Sequence, residues 1–93
     1  MENNIYNLTE FFKMLGNPTR IRILLMLAEH DTCVSELTNR LGYTQSAISH
    51  QLSLLKSNKL VKQHRDGKMV FYTLADEHIR QVIEKGTEHT LNR

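Results

Sequence analysis

The sequence predicts a single, mostly α-helical domain, residues 1–93, that carries one β-hairpin. Apolar residues recur at helical spacing in four stretches before residue 57, and a fifth stretch begins at Asp76. Between them the pattern alternates from Val61 to Arg65 and from Met69 to Leu74, on either side of Asp66-Gly67, a strong hairpin signal. A domain of this size buries little core by itself, so we also expect a dimer.

Apolar stripes, and the residues between them, predict the first two helices. The stripe of the first helix is formed by Leu8, Phe11, Phe12 and Leu15. Gly16 is a suitable C-terminal stop, Asn17 can cap the next helix, and Pro18 suits a first helical position because its missing N–H would have no partner there. The face of the second helix has the spacing i, i+3, i+4, i+7 and is formed by Ile21, Leu24, Leu25 and Ala28. Since Ile23 and Leu27 extend this face, we expect the second helix to be the central core element.

Two short helices joined by a tight turn are predicted next. The third helix begins after Cys33, closes at Gly42 and has a stripe formed by Val34, Leu37 and Leu41. Thr44 is a good N-cap for the fourth helix. The apolar stripe of that helix is formed by Ile48, Leu52 and Leu55. This arrangement is typical of a helix-turn-helix, in which the second helix enters the major groove of DNA.

The outward face of the fourth helix is polar and contains no acid. It is formed by Gln45, Ser46, Ser49, His50 and Ser53. These side chains can donate and accept hydrogen bonds, so such a face can contact base edges in a major groove. A solvated surface is the alternative interpretation, because surface helices generally have a polar outward face.

Positive charge is concentrated between Arg40 and Lys68, although the net charge of the chain is only +2. Six basic residues accompany one acid, Asp66, in this segment, and such a local excess indicates a polyanion partner. His64, Arg65 and Lys68 lie near the predicted hairpin tip. We therefore expect the hairpin to act as a wing that contacts phosphates, with a solvated turn as the alternative.

Together these patterns predict a winged helix-turn-helix that binds double-stranded DNA. The predicted DNA-contacting residues are Thr44, Gln45, Ser46, Ser49, His50, Ser53, Lys56, His64, Arg65 and Lys68. The aromatic first helix and the last helix, which has no core of its own to cover, are the candidate contacts of a homodimer.

Composition and motifs argue against several other classes. Hydrophobic residues make up 40% of the chain, yet no apolar run approaches the roughly 20 residues that cross a bilayer. Because the start also lacks the pattern of a signal peptide, we expect a cytoplasmic location. No nucleophile motif or glycine-rich phosphate loop occurs, so we do not expect an enzyme. A protein-interaction module on the same scaffold is the alternative from another class.

Several motifs fall in order along nearly the whole chain. They are Phe12 to Leu24, Ser46 to Leu52, Leu60-Val61, Arg65-Asp66-Gly67 and Tyr72-Thr73-Leu74. In these motifs the sequence resembles the ArsR/SmtB family of bacterial metal-sensing repressors. The resemblance implies a homodimeric winged-helix repressor that binds a palindromic operator and dissociates when an inducer binds. It also implies that the helix from Ser46 to Leu55 contacts the bases.

The last helix resembles the zinc-sensing branch of that family. The branch pattern is Asp-x-His, ten residues, then His-x-x-His or His-x-x-Glu, and this chain has Asp76, His78, His89 and Asn92 at those positions. His78 and His89 lie about three helical turns, roughly 16 Å, apart, so one ion cannot bridge them within one helix. Two antiparallel copies would form two symmetric sites suited to Zn²⁺ as the inducer, each with ligands from both subunits. Asn92 departs from the pattern, which has histidine or glutamate at that position. The amide oxygen of asparagine is a weaker metal ligand than either.

Cys33 lies where the arsenic, cadmium and lead branches have a pattern like Cys-Val-Cys. Here the residues are Cys33-Val34-Ser35, and no second cysteine occurs in the chain. One thiolate cannot supply the ligand set of a soft metal, so a small cap residue is the plainer interpretation. Oxidation of Cys33 and a response to another divalent ion stay open as alternative signals.

Overall fold

The protein is described by a computed structural model that covers residues 1–91. Within that range the elements are, in chain order, α1 (Glu2–Leu15), α2 (Pro18–Glu29), α3 (Val34–Leu41), α4 (Gln45–Ser57), β1 (Val61–Asp66), β2 (Met69–Leu74) and α5 (Glu77–Leu91). The predicted order of helices and hairpin is confirmed. Over residues 1–91, no helix has the length and apolar character needed to cross a bilayer.

The second helix is the centre of the core, as predicted, but a different face of it is buried. Ile23, Leu24 and Leu27 are completely buried and contact the apolar stripe of α4 and other core residues. Leu25, expected on the core face, is instead 38% exposed. Helical periodicity does not identify the buried face, because α2 is apolar most of the way round. Which face is buried depends on the elements that pack against it, among them α3, α4 and β2.

Local signals set the helix ends. The side chain of Asn17 accepts a hydrogen bond from the N–H of Arg20 at 3.1 Å, and Pro18 occupies the first turn of α2. The hydroxyl of Thr44 accepts one from the N–H of Ala47 at 3.1 Å and caps α4. These side chains satisfy amide groups that have no partner within a helix.

The strands β1 and β2 form an antiparallel hairpin in which Val61 pairs with Leu74 and Asp66 with Met69. Gly67 begins the two-residue connection with a φ of 63°, a left-handed conformation that glycine adopts without steric cost. Tyr72 exchanges backbone hydrogen bonds with Thr32, whose side chain is fully buried. The connection from α2 to α3 therefore lies along the edge of the wing.

The fifth helix continues without a break through Gly86 to Leu91. Glycine lowers helix propensity but keeps its N–H, so the backbone ladder can continue. The hydroxyls of Thr87 and Thr90 also donate to the carbonyls of Ile83 and Gly86, at 2.8 and 3.2 Å.

Candidate nucleic-acid interface and metal-binding residues

The polar face of α4 is exposed, and its apolar face is fully buried. Ile48, Leu52 and Leu55 have no accessible surface. The five predicted base-contacting side chains are all exposed: Gln45, Ser46, Ser49, His50 and Ser53. None of the ion pairs within residues 1–91 involves this face. The helix thus presents both hydrogen-bond donors and hydrogen-bond acceptors, and it has no carboxylate on this face that would repel a phosphate backbone.

One side-chain hydrogen bond connects α4 to α2, and another caps its first turn. The Nε of Arg20 in α2 donates to the Oε1 of Gln51 at 2.9 Å. The hydroxyl of Thr44, one of the predicted DNA contacts, is engaged in capping the first turn of the helix. Gln51 was not among the residues predicted from the sequence, because its partner lies 31 residues away and no local pattern connects the two.

The wing separates His64 from Arg65. Adjacent residues of a strand point to opposite faces, and His64 lies on the face that contacts the α2–α3 connection. There its Nε2 lies 3.0 Å from the Oδ2 of Asp31, and its ring stacks on Phe71 with centroids 5.7 Å apart. Hydrogen bonds from Thr73 and then from His64 lower the pKa of Asp31. His64 is therefore engaged with Asp31 and Phe71, and its predicted contact with DNA stays a prediction.

Basic side chains follow α4 into the wing. All are exposed, and within residues 1–91 none of them takes part in an ion pair: Lys56, Lys59, Lys62, Arg65 and Lys68. Arg40, in contrast, lies 3.8 Å from Glu36. Uncompensated positive charge next to a polar, acid-free helix face is the electrostatic pattern of a nucleic-acid interface.

A polar cluster surrounds Cys33 at the start of α3. The thiol lies 3.3 Å from the hydroxyl of Ser35. This hydrogen bond, followed by the backbone N–H of Glu36, lowers the pKa of Cys33. The buried hydroxyl of Thr32 donates to the Glu36 carboxylate at 2.7 Å and, ahead of His30, lowers the pKa of Glu36. Cys33 therefore occupies the N-cap position of α3 without a side-chain capping bond, and its pKa lies below the ordinary value of a thiol.

The predicted metal ligands lie at the two ends of α5. The Nδ1 of His78 lies 3.7 Å from the Oδ1 of Asp76, which also accepts the N–H of Ile79 at 3.1 Å as the helix cap. His89 is exposed in the last turns of the helix, and Asn92 lies outside the described residues. Among residues 1–91 no three His, Cys, Asp or Glu side chains come together as a metal site. A carboxylate and an imidazole that lie side by side and face solvent fit half of a zinc donor set, which needs further ligands from elsewhere.

Exposed apolar side chains cover α1. Its residues Ile5, Tyr6, Leu8 and Phe12 are each more than half exposed, and the helix has no buried residue. A groove of about 330 Å³ lies beside it and is lined by Phe12, Leu15, Ile21, Leu25, Val82, Ile83, Gly86, Thr87 and Thr90. A continuous apolar surface across three helices is typical of a protein interface.

Comparison with known proteins gives consistent matches. Residues 17–63 match the family described as bacterial regulatory protein, arsR family. A transcriptional repressor SmtB homolog of Synechocystis is 39% identical over 88% of this chain, which spans 62% of that relative's length. A cadmium resistance transcriptional regulatory protein CadC homolog of Staphylococcus aureus is 35% identical over 95% of the chain and 74% of its own length.

A solved structure supports the fold assignment. The homodimeric winged helix-turn-helix DNA-binding domain Mb0332 from Mycobacterium bovis has a TM-score of 0.88 and 25% identity. The match covers 96% of this chain and 82% of that domain. The winged helix-turn-helix predicted from the sequence is therefore confirmed.

Proposed function

Since the chain belongs to the arsR family of bacterial regulatory proteins, we propose that it is a metal-responsive transcriptional repressor. It binds a palindromic operator in double-stranded DNA as a homodimer and dissociates when a metal ion, Zn²⁺, binds. The observation that carries this proposal is the exposed, acid-free face of α4 beside a row of basic side chains without ion pairs in the described part of the chain. The regulatory relatives also agree with the prediction that the chain is not an enzyme.

The proposed DNA contacts fall into two groups. The outward face of α4, from Gln45 to Ser53, contacts base edges and determines the preferred sequence. Lys56, Arg65 and Lys68 contact phosphates and determine affinity more than sequence. His64 stays a prediction, and its pairing with Asp31 favours a role in holding the wing.

A homodimer through α1 and α5 would account for the exposed apolar surface. Burying the α1 side chains against a second copy removes apolar area from water, which a domain of this size needs for stability. A two-fold dimer also presents two α4 helices to two half-sites about 34 Å apart, so the operator would be palindromic.

The metal would be held between subunits. Asp76 and His78 of one subunit would act with His89 of the other, and with Asn92 as the weakest of the four donors. These carboxylate, imidazole and amide groups form a set that fits Zn²⁺. A bound ion would supply the cross-link that favours one arrangement of the two α5 helices. Asp76 also caps α5, so its carboxylate connects the metal set to the start of that helix. A typical coupling of about 1–3 kcal/mol would weaken operator binding roughly 5- to 150-fold.

The experiment has two stages. Selection from a random double-stranded DNA library would identify the bound sequence, and a palindrome is expected. Titration of that operator with and without Zn²⁺ then tests the metal response. His78→Ala and His89→Ala should bind the operator as the wild type does but lose the zinc effect, while His30→Ala, at the residue that follows α2, serves as the control. Equal affinities with and without Zn²⁺ would remove zinc as the inducer and leave DNA binding intact.

A second candidate signal is oxidation of Cys33. The lowered pKa of this thiol favours reaction with peroxide, because the thiolate is the reactive form. Release of the operator together with a mass increase at Cys33 would support this alternative, and Cys33→Ser should then keep its operator when peroxide is added.

A protein-interaction module is the alternative from another class. Salt-insensitive binding to a protein, with no binding to double-stranded DNA, would support it.

A further inference from the structure

Three lysines line one crevice between the end of α4, the start of β1 and the start of α5. The crevice has a volume of about 700 Å³ and is lined by Lys56, Lys59, Val61, Lys62, Gln63, Ala75 and Asp76. All three lysines are exposed, and within residues 1–91 none of them pairs with an acid. Lys59 and Lys62 are absent from the DNA contacts predicted from the sequence. Within this cationic crevice, Lys56 already has a proposed phosphate contact and Asp76 a proposed metal-binding role, whereas Lys59 and Lys62 have no assigned role.

Lys59 has a backbone conformation that disfavours any residue with a side chain. Its φ is 64°, the one positive φ among the non-glycine residues that the structure describes. The N–H of Lys59 donates to the carbonyl of Lys56 at 3.0 Å, and that of Leu60 to the carbonyl of Leu55 at 2.9 Å. This is the Schellman ending of a helix, in which glycine normally occupies the left-handed position.

The chain has lysine at a position where glycine would cost less free energy. In the left-handed region the side chain meets the backbone, a cost that glycine avoids, so the sequence here is not the one that folds best. Such departures occur where function has a use for the residue. Lys59 lines the same crevice as Lys56 and Lys62.

We propose that this lysine crevice binds the sugar-phosphate backbone of the operator, next to the groove that α4 enters. The inference rests on the proposed DNA binding and extends its footprint. Lys56 belongs both to the α4 surface and to the crevice, so one DNA strand can pass from one to the other. Three exposed ammonium groups without an ion-pair partner in the described residues suit phosphodiester groups.

Asp76 lies at the edge of the crevice and opposes this binding. Its carboxylate is the one acidic group in the lining, and it would face a bound phosphate. Asp76 is also a proposed metal ligand, so the crevice is the place where the operator and the α5 donor set would meet. The lysine crevice and the proposed metal site would then share Asp76.

Lys59→Gly separates a contact with DNA from a role in folding. Glycine should relieve the backbone, and the melting temperature should rise by about 4–8 °C. Operator binding should weaken, and the slope of log K against log salt should fall by about two per homodimer, one for each lysine removed. Lys62→Gln should lower the slope in the same way. Lys85→Gln is the matched control, because Lys85 lies on α5 and pairs with Glu88 at 3.3 Å.

Asp76→Asn should change operator affinity in the opposite direction from the lysine substitutions. Asparagine also caps helices well, so the start of α5 should be retained. With a chelator present, this variant should bind the operator more tightly than the wild type, most clearly at low salt. If the wild type binds operator but Lys59→Gly, Lys62→Gln and Lys85→Gln all keep its affinity and salt slope, the crevice proposal is overturned. If the wild type binds no double-stranded DNA, the proposed function fails as well.

Discussion

His64 in β1 lies 3.0 Å, from Nε2 to Oδ2, from Asp31 in the connection between α2 and α3. The pair crosses β2, and Phe71 stacks against the imidazole between the two elements. The backbone of the same connection pairs with the wing through Thr32 and Tyr72. The hairpin is therefore attached to the helical core by side chains as well as by the peptide chain, which limits how far a two-stranded wing can move.

Asp31→Asn should weaken the attachment of the wing and change the response to acid. Hydrogen bonds from Thr73 and His64 hold the pKa of Asp31 below its ordinary value of 3.8. The stabilisation is therefore present above that value and is lost as the pH falls through the lowered, folded-state pKa. Near neutral pH the variant should lose at most about 1 kcal/mol, since the pair is half-exposed. Between about pH 7 and pH 2, the melting temperature of Asp31→Asn should fall less steeply than that of the wild type. An identical fall in both proteins would contradict the role of the pair.

Thr44 can be tested as a cap and as a DNA contact separately. Thr44→Ala removes the acceptor for the N–H of Ala47 and should cost about 1 kcal/mol, measured by thermal or urea unfolding. Thr44→Ser retains the hydroxyl and should restore stability, operator affinity and sequence preference together. A serine variant that is stable but prefers another sequence would indicate that the threonine methyl contacts a base. Ser46→Ala, on the exposed face, should change DNA binding without changing stability.

Short-range chemistry explains why much of the fold could be predicted. Asn17-Pro18 and Thr44 act within one turn of their own position, so their capping roles follow from residue type and spacing. The buried face of α2 could not be predicted, because helix periodicity does not say which of several apolar stripes the neighbouring elements cover. Leu25 was expected in the core, but it lies on a stripe of α2 that the neighbouring elements leave partly exposed.

Contacts between distant residues account for what was missed in the site. The partner of His64 lies 33 residues earlier in the chain, and that of Gln51 lies 31 residues earlier. No residue pattern encodes the positive φ of Lys59, since glycine is the usual signal for that conformation. Many candidate residues could thus be named from the sequence, but Gln51, Lys59 and the contacts that position the site required the structure.

Asn92→His should tighten zinc binding if the α5 residues form the proposed site. Histidine or glutamate stands at this position in the zinc-sensing pattern, and an imidazole is a stronger ligand than an amide oxygen. We expect the zinc affinity to rise by about tenfold or more, comparable to other changes in ligand support. Competition with a coloured chelator would measure it, with Asn39→His on α3 as the control. Equal zinc affinity in both variants would argue against a ligand at position 92.

Phe12→Glu tests whether α1 joins two copies of the chain. Phe12 is 54% exposed and lines the groove between α1, α2 and α5, so the fold of one subunit does not depend on burying it. A charge placed in an apolar interface without a partner is costly. We expect the variant to be monomeric at micromolar concentration by sedimentation and to bind the operator weakly, because two linked half-sites bind far more tightly than one.

Met69→Glu is the matched control for this interface. Met69 is also a large, exposed apolar residue, at 46%, but it lies in the wing and away from α1. The same substitution there should leave the sedimentation coefficient of the wild type unchanged. If Phe12→Glu stayed dimeric while Met69→Glu became monomeric, the wing rather than the helical surface would join the subunits. Because α5 borders the same groove, that result would also separate His78 and His89 of different copies and remove the basis for a shared zinc site.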